Sequence, residues 1–375
     1  MGTEMTSTVT ITPSRAFREE LTRRGGESIG RCFQCATCSS VCDLSTASSI
    51  FPRRQMLWAQ WGLSDRLLND PAIWLCHECT DCSTRCPRDA RPSDMLKGAR
   101  SMAIEAFGAP GFMARLVGNA ATTWPILLGV PVAFWAVLVQ LTVGFQVAAG
   151  PLAYNRHIPN GLIDSVFVPA VLFALVAAVS GARKAWAAWG VGAQREGTLL
   201  SGLVGVAGDV LAHRRFTGCK VAHTRRFSHS LLLWGFVAAF ATTTSVATAE
   251  YVFGAEIPLA QVHPIKLLGN LSAVLLSFGL AGLWLKRMGS RELAGRSKAF
   301  DSFFLVLVVL LVASGIGAEL ARYALPGQLA LSVYVFHLGM VLSFFLTFPF
   351  SKFAHALYRT LAMAHERLTL SRRPQ

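Results

Sequence analysis

The sequence predicts a mainly α protein in two parts: a small helical domain carrying paired cysteine arrays, then a bundle of six membrane-spanning helices. Three observations lead there. Of 375 residues, 53% are hydrophobic and only 15% charged, against about 25% charged in ordinary soluble domains. The composition is uneven: residues 1–115 are polar and rich in Cys and Arg, whereas from residue 124 long uncharged runs alternate with short basic ones. Finally, eight of the nine cysteines fall into two runs of one spacing, C-x2-C-x2-C-x3-C, in CFQCATCSSVC (32–42) and CHECTDCSTRCP (76–87). Gly108-Ala109-Pro110-Gly111 marks the approach to the boundary between the parts.

In chain order, residues 1–28 read as a flexible tail. MGTEMTSTVTITPSR has no apolar core and no cleavage site after one, unlike a secretory signal. Gly2 and Thr6 fit the loose myristoylation pattern, but a flexible tail is the simpler account.

Residues 29–110 form the cysteine domain. In a reducing compartment eight structural disulfide sulfurs are improbable, and metal is the alternative. Zinc sites pair C-x2-C units, four thiolates to an ion. Here three cysteines at x2 spacing are followed by a fourth after three residues, the bacterial ferredoxin run, in which the fourth thiolate goes to the other cluster. By that logic Cys32, Cys35, Cys38 and Cys86 hold one [4Fe–4S] cluster, and Cys76, Cys79, Cys82 and Cys42 hold the second. Pro87 follows the second run as the pattern asks; Asp43 stands where the first would have proline, which is not a ligand. Between the runs, residues 51–70 read as one short amphipathic helix, with Trp58 and Trp61 packing around the clusters. Cys219 is left over and reads as a small buried side chain.

Residues 111–365 form the membrane domain, with 366–375 a C-terminal tail. A spanning helix needs roughly 20 apolar residues, and six runs qualify: 124–148, 162–182, 229–249, 264–285, 300–321 and 329–350. With the cysteine domain cytoplasmic, the inner connections (183–228, 286–299 and beyond 350) carry eight, five and five Lys or Arg, and the outer ones only Arg156 and Arg322, with Lys266 at a membrane edge. This bias predicts an inner-membrane, multi-pass protein with both termini cytoplasmic. It also accounts for most of the +14 net charge, so no nucleic-acid partner is implied.

Histidines within or beside spans are costly and usually functional. His229 opens the third span on the inner side and His263 the fourth on the outer side. His337 lies near the outer start of the sixth, and His355 just past its inner end. The last two are eighteen residues apart, five helical turns, so both rings leave one helix face, with a kink expected at Pro349. Paired by depth, His229 with His355 and His263 with His337 predict two bis-histidine b haems, or one if a pair fails. His213 and His223 read as a solvated basic face; His157, His77 and His365 carry no argument.

These residues resemble known assemblies. The N-terminal third is similar to the iron–sulfur C subunit of heterodisulfide reductases. Spans three to six resemble the cytochrome b (gamma) subunit of respiratory nitrate reductase and the membrane E subunit of heterodisulfide reductase. The fusion of both is similar to the membrane C subunit of the quinone-interacting membrane-bound oxidoreductase (Qmo) complex. The fold class is therefore a dicluster ferredoxin-like helical domain followed by a six-helix cytochrome b-type bundle. In the nitrate-reductase relatives the helix matching span three carries two haem ligands ten residues apart; here the first is His229 and the second position is Ala239. Those relatives also place a lysine at the outer edge near the quinol, which matches Lys266.

The resemblance implies electron exchange between a menaquinone-type pool and a soluble enzyme, through flavin-bearing subunits and, in Qmo complexes, adenylylsulfate reductase. No G-x-G-x-x-G opens a helix after a strand and no Walker-type loop is present, so flavin comes from a partner. The rival readings are a heterodisulfide-reductase-type membrane protein serving a thiol–disulfide enzyme, a membrane redox sensor or scaffold with structural clusters, and a zinc-binding membrane adaptor.

Overall fold

The apolar runs fold as helices because a chain crossing lipid must satisfy its backbone groups within each segment. The computed structural model describes residues 11–47, 49–147, 153–191, 194–215, 223–289 and 299–370. Gly2, Thr6, Cys219 and most of the 286–299 connection lie outside these. Among the described residues the structure is helical, with a lone β-bridge between Thr46 and Ser49.

The cysteine domain is built from short helices: α1 (Arg15–Leu21), α2 (Thr37–Ser40), α3 (Arg53–Gln60), α4 (Ser64–Leu68), α5 (Ala72–Leu75), α6 (Asp81–Thr84) and the longer α7 (Pro92–Phe107). α1 corrects the expectation of a tail over residues 1–28: it buries Phe17 and Leu21 in the core of the cysteine domain. The one amphipathic helix expected over 51–70 is instead α3 and α4, broken at Gly62. That residue is left-handed (φ 68°), and its carbonyl accepts from the Ser14 N–H at 3.0 Å. A Cβ there would collide with the Ser14 carbonyl oxygen, so only glycine permits this turn.

After α8 (Gly111–Gly118) come α9 (Ala120–Thr142), α10 (Tyr154–His157), α11 (Asn160–Gly190), α12 (Leu199–Leu211), α13 (His223–Tyr251), α14 (Pro264–Gly289), α15 (Ala299–Ala324), α16 (Gly327–Thr347) and α17 (Ala354–Leu370). Six helical stretches are long and apolar enough to cross a membrane, one for each predicted run. Their outward faces expose Leu141, Val176, Phe240 and Phe278 at 68–79%, surface suited to lipid tails. α13 pairs with α14 as a hairpin, and α16 packs between α9 and α15.

The boundaries shift for physical reasons. α9 stops at Thr142 although apolarity continues, because Gly144 turns the chain (φ 73°) and its carbonyl is held by His157 Nε2 at 2.9 Å. α11 runs on past Arg183 and Lys184, which end the apolar run but not the helix; its last turns bury Ala185 and Trp189 against the cysteine domain. The sixth run does not continue as one helix: α16 ends at Thr347, a 3-10 turn spans Phe348–Phe350, and α17 starts at Ala354. Pro349 lacks the N–H that would continue the ladder, so His337 and His355 sit on two helices and not on one stripe.

The cysteine domain and the inner end of the bundle share one core. Trp74, Phe107, Trp189, Tyr358 and Leu361 are all buried in it, with Trp74 and Tyr358 rings 4.8 Å apart.

Candidate functional site

The two cysteine loops are structural repeats. In each, the residues flanking the second cysteine are left-handed although neither is glycine: Gln34 (58°) and Ala36 (69°) around Cys35, Glu78 (53°) and Thr80 (71°) around Cys79. Each loop then enters a single helical turn, α2 or α6. Alternating right- and left-handed residues turn successive backbone N–H groups inward, making a nest that favours negative charge. Some already point at sulfur: the Glu78 N–H donates to Cys76 Sγ (3.4 Å) and the Ala90 N–H to Cys86 Sγ (3.3 Å). Such strain in non-glycine residues is held by its surroundings and clusters at functional sites.

The sulfurs fall into two groups across the sequence. Cys32, Cys35, Cys38 and Cys86 line one open hollow at the surface. Cys42 sits in the electrostatic neighbourhood of Cys76 and Cys79, and Cys82 neighbours all three. Cys38 also lies near Cys82, so the groups adjoin. Burial pushes the Cys42 thiol up to about 12, with Cys76 and Cys79 adding to the rise; burial likewise raises Cys38 and Cys82. The Thr37 hydroxyl beside exposed Cys35 lowers that thiol. All eight thiols are free of disulfides. Among the described residues no three His, Cys, Asp or Glu side chains converge as donors of a single ion. Four thiols round a hollow, with N–H groups aimed at sulfur, fit a cluster of several irons better than one tetrahedral zinc.

At the inner end of the bundle, His229 of α13 and His355 of α17 face each other with ring centroids 6.1 Å apart. An iron bonded to one nitrogen of each at about 2 Å separates two such centroids by roughly 6 Å. One nitrogen of each ring is already engaged. His355 Nδ1 bonds the Lys352 carbonyl at 2.6 Å, which makes it the protonated nitrogen and leaves Nε2 with a lone pair. His229 Nδ1 bonds His213 Nε2 at 2.7 Å. Such a partner on the other nitrogen is what orients a ligating imidazole. The donor set and its spacing fit a bis-histidine haem.

His213 corrects the expectation of a solvated basic face. It follows α12 at a left-handed position (φ 50°), is 5% exposed, and burial pulls its imidazole below the ordinary value. Its signal was hidden because residues 183–228 read as a loop, whereas α12 is a helix with Gly202 against Leu368 of α17 and Leu200 exposed.

The outer histidines are not brought together. His337 stands about ten residues, roughly 15 Å, into α16, half the depth of a bilayer core. Its Nδ1 meets Ser314 Oγ of α15 at 3.0 Å, and its ring occupies the space beside Gly315. His263 precedes α14, and its Nδ1 accepts from the Ile265 N–H at 3.3 Å. Three residues on, Lys266 pairs with Glu319 of α15 at 2.6 Å, five residues outward of Ser314. At about 1.5 Å per residue His263 lies roughly 10 Å further out than His337. The pair does not fit one haem. The polar group around Lys266 includes Gln261, which donates to Glu319 at 3.0 Å; Glu319 went unread in the sequence because a single acid at a span's end carries no pattern.

Between the inner histidines and the second cysteine loop stands Arg359, one turn beyond His355 on α17. Its guanidinium donates to the carbonyls of Cys76 (3.0 Å) and Trp74 (3.3 Å) and meets His77 Nδ1 at 2.9 Å.

Comparison with known proteins divides the chain in the same place. Residues 28–90 match the 4Fe-4S dicluster domain, and residues 117–375 match the model of citrate utilization protein B. The N-terminal part is 38% identical over 100 residues to the C subunit of the H(2):CoB-CoM heterodisulfide,ferredoxin reductase of Methanothermobacter thermautotrophicus, covering 27% of this chain and 52% of the relative. It is 34% identical over 88 residues to the iron-sulfur C subunit of the CoB--CoM heterodisulfide reductase of Methanopyrus kandleri, 24% and 44% of the two chains. Citrate utilization protein B of Escherichia coli is 34% identical over 141 residues, 37% and 36% of the two chains. The chain thus spans about half the length, or less, of these curated relatives. No solved structure matches it. Residues 28–90 are an iron–sulfur domain of the kind found in the C subunits of heterodisulfide reductases, an electron-transfer component.

Proposed function

Because the chain belongs to the citrate utilization protein B family and carries an iron–sulfur dicluster domain beneath its membrane helices, we propose that it is a membrane electron-transfer subunit joining a menaquinone-type pool to a soluble cytoplasmic oxidoreductase. The observation that carries this is the facing of His229 and His355 at 6.1 Å, on the side of the bundle where the cysteine domain sits.

When bound, a b haem and two [4Fe–4S] clusters supply one-electron chemistry. The chain's own residues do the rest. His229 and His355 would hold the haem, oriented by His213 and by the Lys352 carbonyl. Cys32, Cys35, Cys38 and Cys86 hold the first cluster, and Cys76, Cys79, Cys82 and Cys42 the second. Buried Trp74, Phe107 and Tyr358 exclude water from the join. Lys266, paired with Glu319, serves the quinone at the outer edge: the ammonium donates to a quinone oxygen and the carboxylate accepts a quinol proton. His337 stands between the two levels. A second haem on His263 and His337 is not part of the proposal, since those residues do not fit it.

The cytoplasmic partner is reached through flavin-bearing subunits. The Qmo likeness favours adenylylsulfate reductase; the heterodisulfide-reductase relatives make a thiol–disulfide enzyme the second candidate. The basic inner loops favour the inner membrane with both termini cytoplasmic. Haem extraction from purified protein tests the reading. One non-covalent b haem per chain is expected, lost in His355→Ala; absence of haem from a preparation with full iron–sulfur content overturns it.

A further inference from the structure

The two cysteine loops share spacing and backbone, yet their surroundings are opposite. Around the first, Cys35 is exposed and Phe33 is 68% exposed, with the Arg88 guanidinium 4.2 Å above its ring; Arg53 lines the same hollow. Around the second, Cys76 and Cys82 are buried, and the Cys76 carbonyl receives two guanidinium donors, from Arg100 at 2.9 Å and Arg359 at 3.0 Å. Arg100 also bonds the Ile73 carbonyl and pairs with Glu78. Arg359 shares a helix face with His355, since residues four apart are neighbours on a helix.

We infer that the two cysteine groups act in series, the second as the inner station, joined to His355 through Arg359, and the first as the outward port, shaped for an acidic surface of the soluble redox partner. This rests on the proposed function for the haem at His355, but the order of the stations is read from the two cysteine groups and the contact of Arg359 with the Cys76 carbonyl. Hydrogen bonds and nearby positive charge raise the potential of an iron–sulfur centre; Arg359 does so at the inner station, where the Arg100 charge is shared with Glu78, and Arg53 and Arg88 do so at the port. Exposed Phe33 and Arg88 offer an apolar contact rimmed by positive charge, complementary to an anionic partner. Quinol oxidation releases two electrons and two protons. The electrons cross singly, each station being oxidised as the next is reduced, and no bond of the chain forms or breaks.

An EPR redox titration of the full chain in nanodiscs decides it. The cluster signal perturbed by Cys42→Ser identifies the second group, and that perturbed by Cys35→Ser the first. Arg359→Gln is expected to shift the second signal to lower potential and leave the first unmoved, with Arg359→Lys intermediate. Arg88→Glu is expected to slow oxidation of the dithionite-reduced protein by ferricyanide at least threefold, and to speed oxidation by a cationic cobalt complex. If Arg359→Gln moves the first signal or neither, or if Arg88→Glu treats both oxidants alike, the series order is overturned. Both readouts work without haem or quinol, so a protein lacking haem would refute the proposed function while this result still stood or fell by itself.

Discussion

Replacing Lys266 with methionine separates a structural ion pair from a chemical one. Lys266 and Glu319 meet at 2.6 Å with side chains 23% and 31% exposed. At that distance and an effective dielectric of about 20 the gross attraction is about 6 kcal/mol, most of it offset by desolvation. Breaking a fully buried pair costs about 3–5 kcal/mol and a surface pair under about 1. This half-buried pair falls between, so Lys266→Met is expected to cost about 1–3 kcal/mol. The loss is asymmetric. Glu319→Gln frees a lysine that can reach the outer interface and is expected to cost under about 1 kcal/mol, whereas Lys266→Met leaves the carboxylate with Gln261 and the more distant charge of Arg322. The double variant recovers most of the loss. At about 2–4 °C per kcal/mol for a domain of this size, circular-dichroism melts in nanodiscs resolve the difference. Equal, additive losses in the two single variants would refute the coupling. Quinol oxidation is expected to fall in both, through the apparent KM in Lys266→Met.

Three further outcomes follow from the geometry. Cys86→Ser is expected to disturb the EPR signal of the first cysteine group, and Cys42→Ser that of the second, each halving iron content to about four per chain; loss within the variant's own run instead would reverse the ligand exchange. His213→Ala removes the partner of His229 Nδ1 and is expected to weaken haem retention about 10–100-fold with the bis-histidine spectrum kept, measured by haem transfer to apomyoglobin. In the cysteine domain, Asp70 is buried and its carboxyl is raised by desolvation, while Gln55 Oε1 is buried without a hydrogen-bond partner. A raised acid binds its proton more tightly when folded, so stability is highest below the unfolded pKa and falls as pH rises toward the folded one. Asp70→Asn removes that loss; the carboxylate now accepts from Gln55 Nε2 at 2.6 Å, and in the variant the Gln55 amide turns over so that Oε1 accepts from the new amide N–H in its place, for a gain of about 1 kcal/mol at neutral pH in urea melts; a destabilised variant at pH 7 would contradict this.

Much of the architecture is legible in the sequence because two signals are strong and local. Cysteine spacing encodes metal chemistry over eleven residues, and twenty apolar residues in a row leave little choice but a spanning helix. Pro349 announces its break. What escapes is what only packing decides. Arg183 and Lys184 look like the end of a helix, yet α11 continues because its next turns bury Trp189 against the cysteine domain. Gly62 splits a helix for the sake of a contact with Ser14, far back along the chain. His213 reads as solvent-facing among arginines until α12 folds it onto His229. His263 and His337 match by side of the membrane but not by depth, which helix register sets and periodicity does not.

The proposed role of the inner histidines is to join the quinone pool to the cysteine domain. Its most direct measurement is an anaerobic optical difference spectrum of the purified protein on addition of a menaquinol analogue. Reduced b-type haem bands are expected under quinol, matching in extent those under dithionite and lost in His355→Ala. Haem bands that appear under dithionite but not under quinol, in protein with a full haem complement, would contradict it.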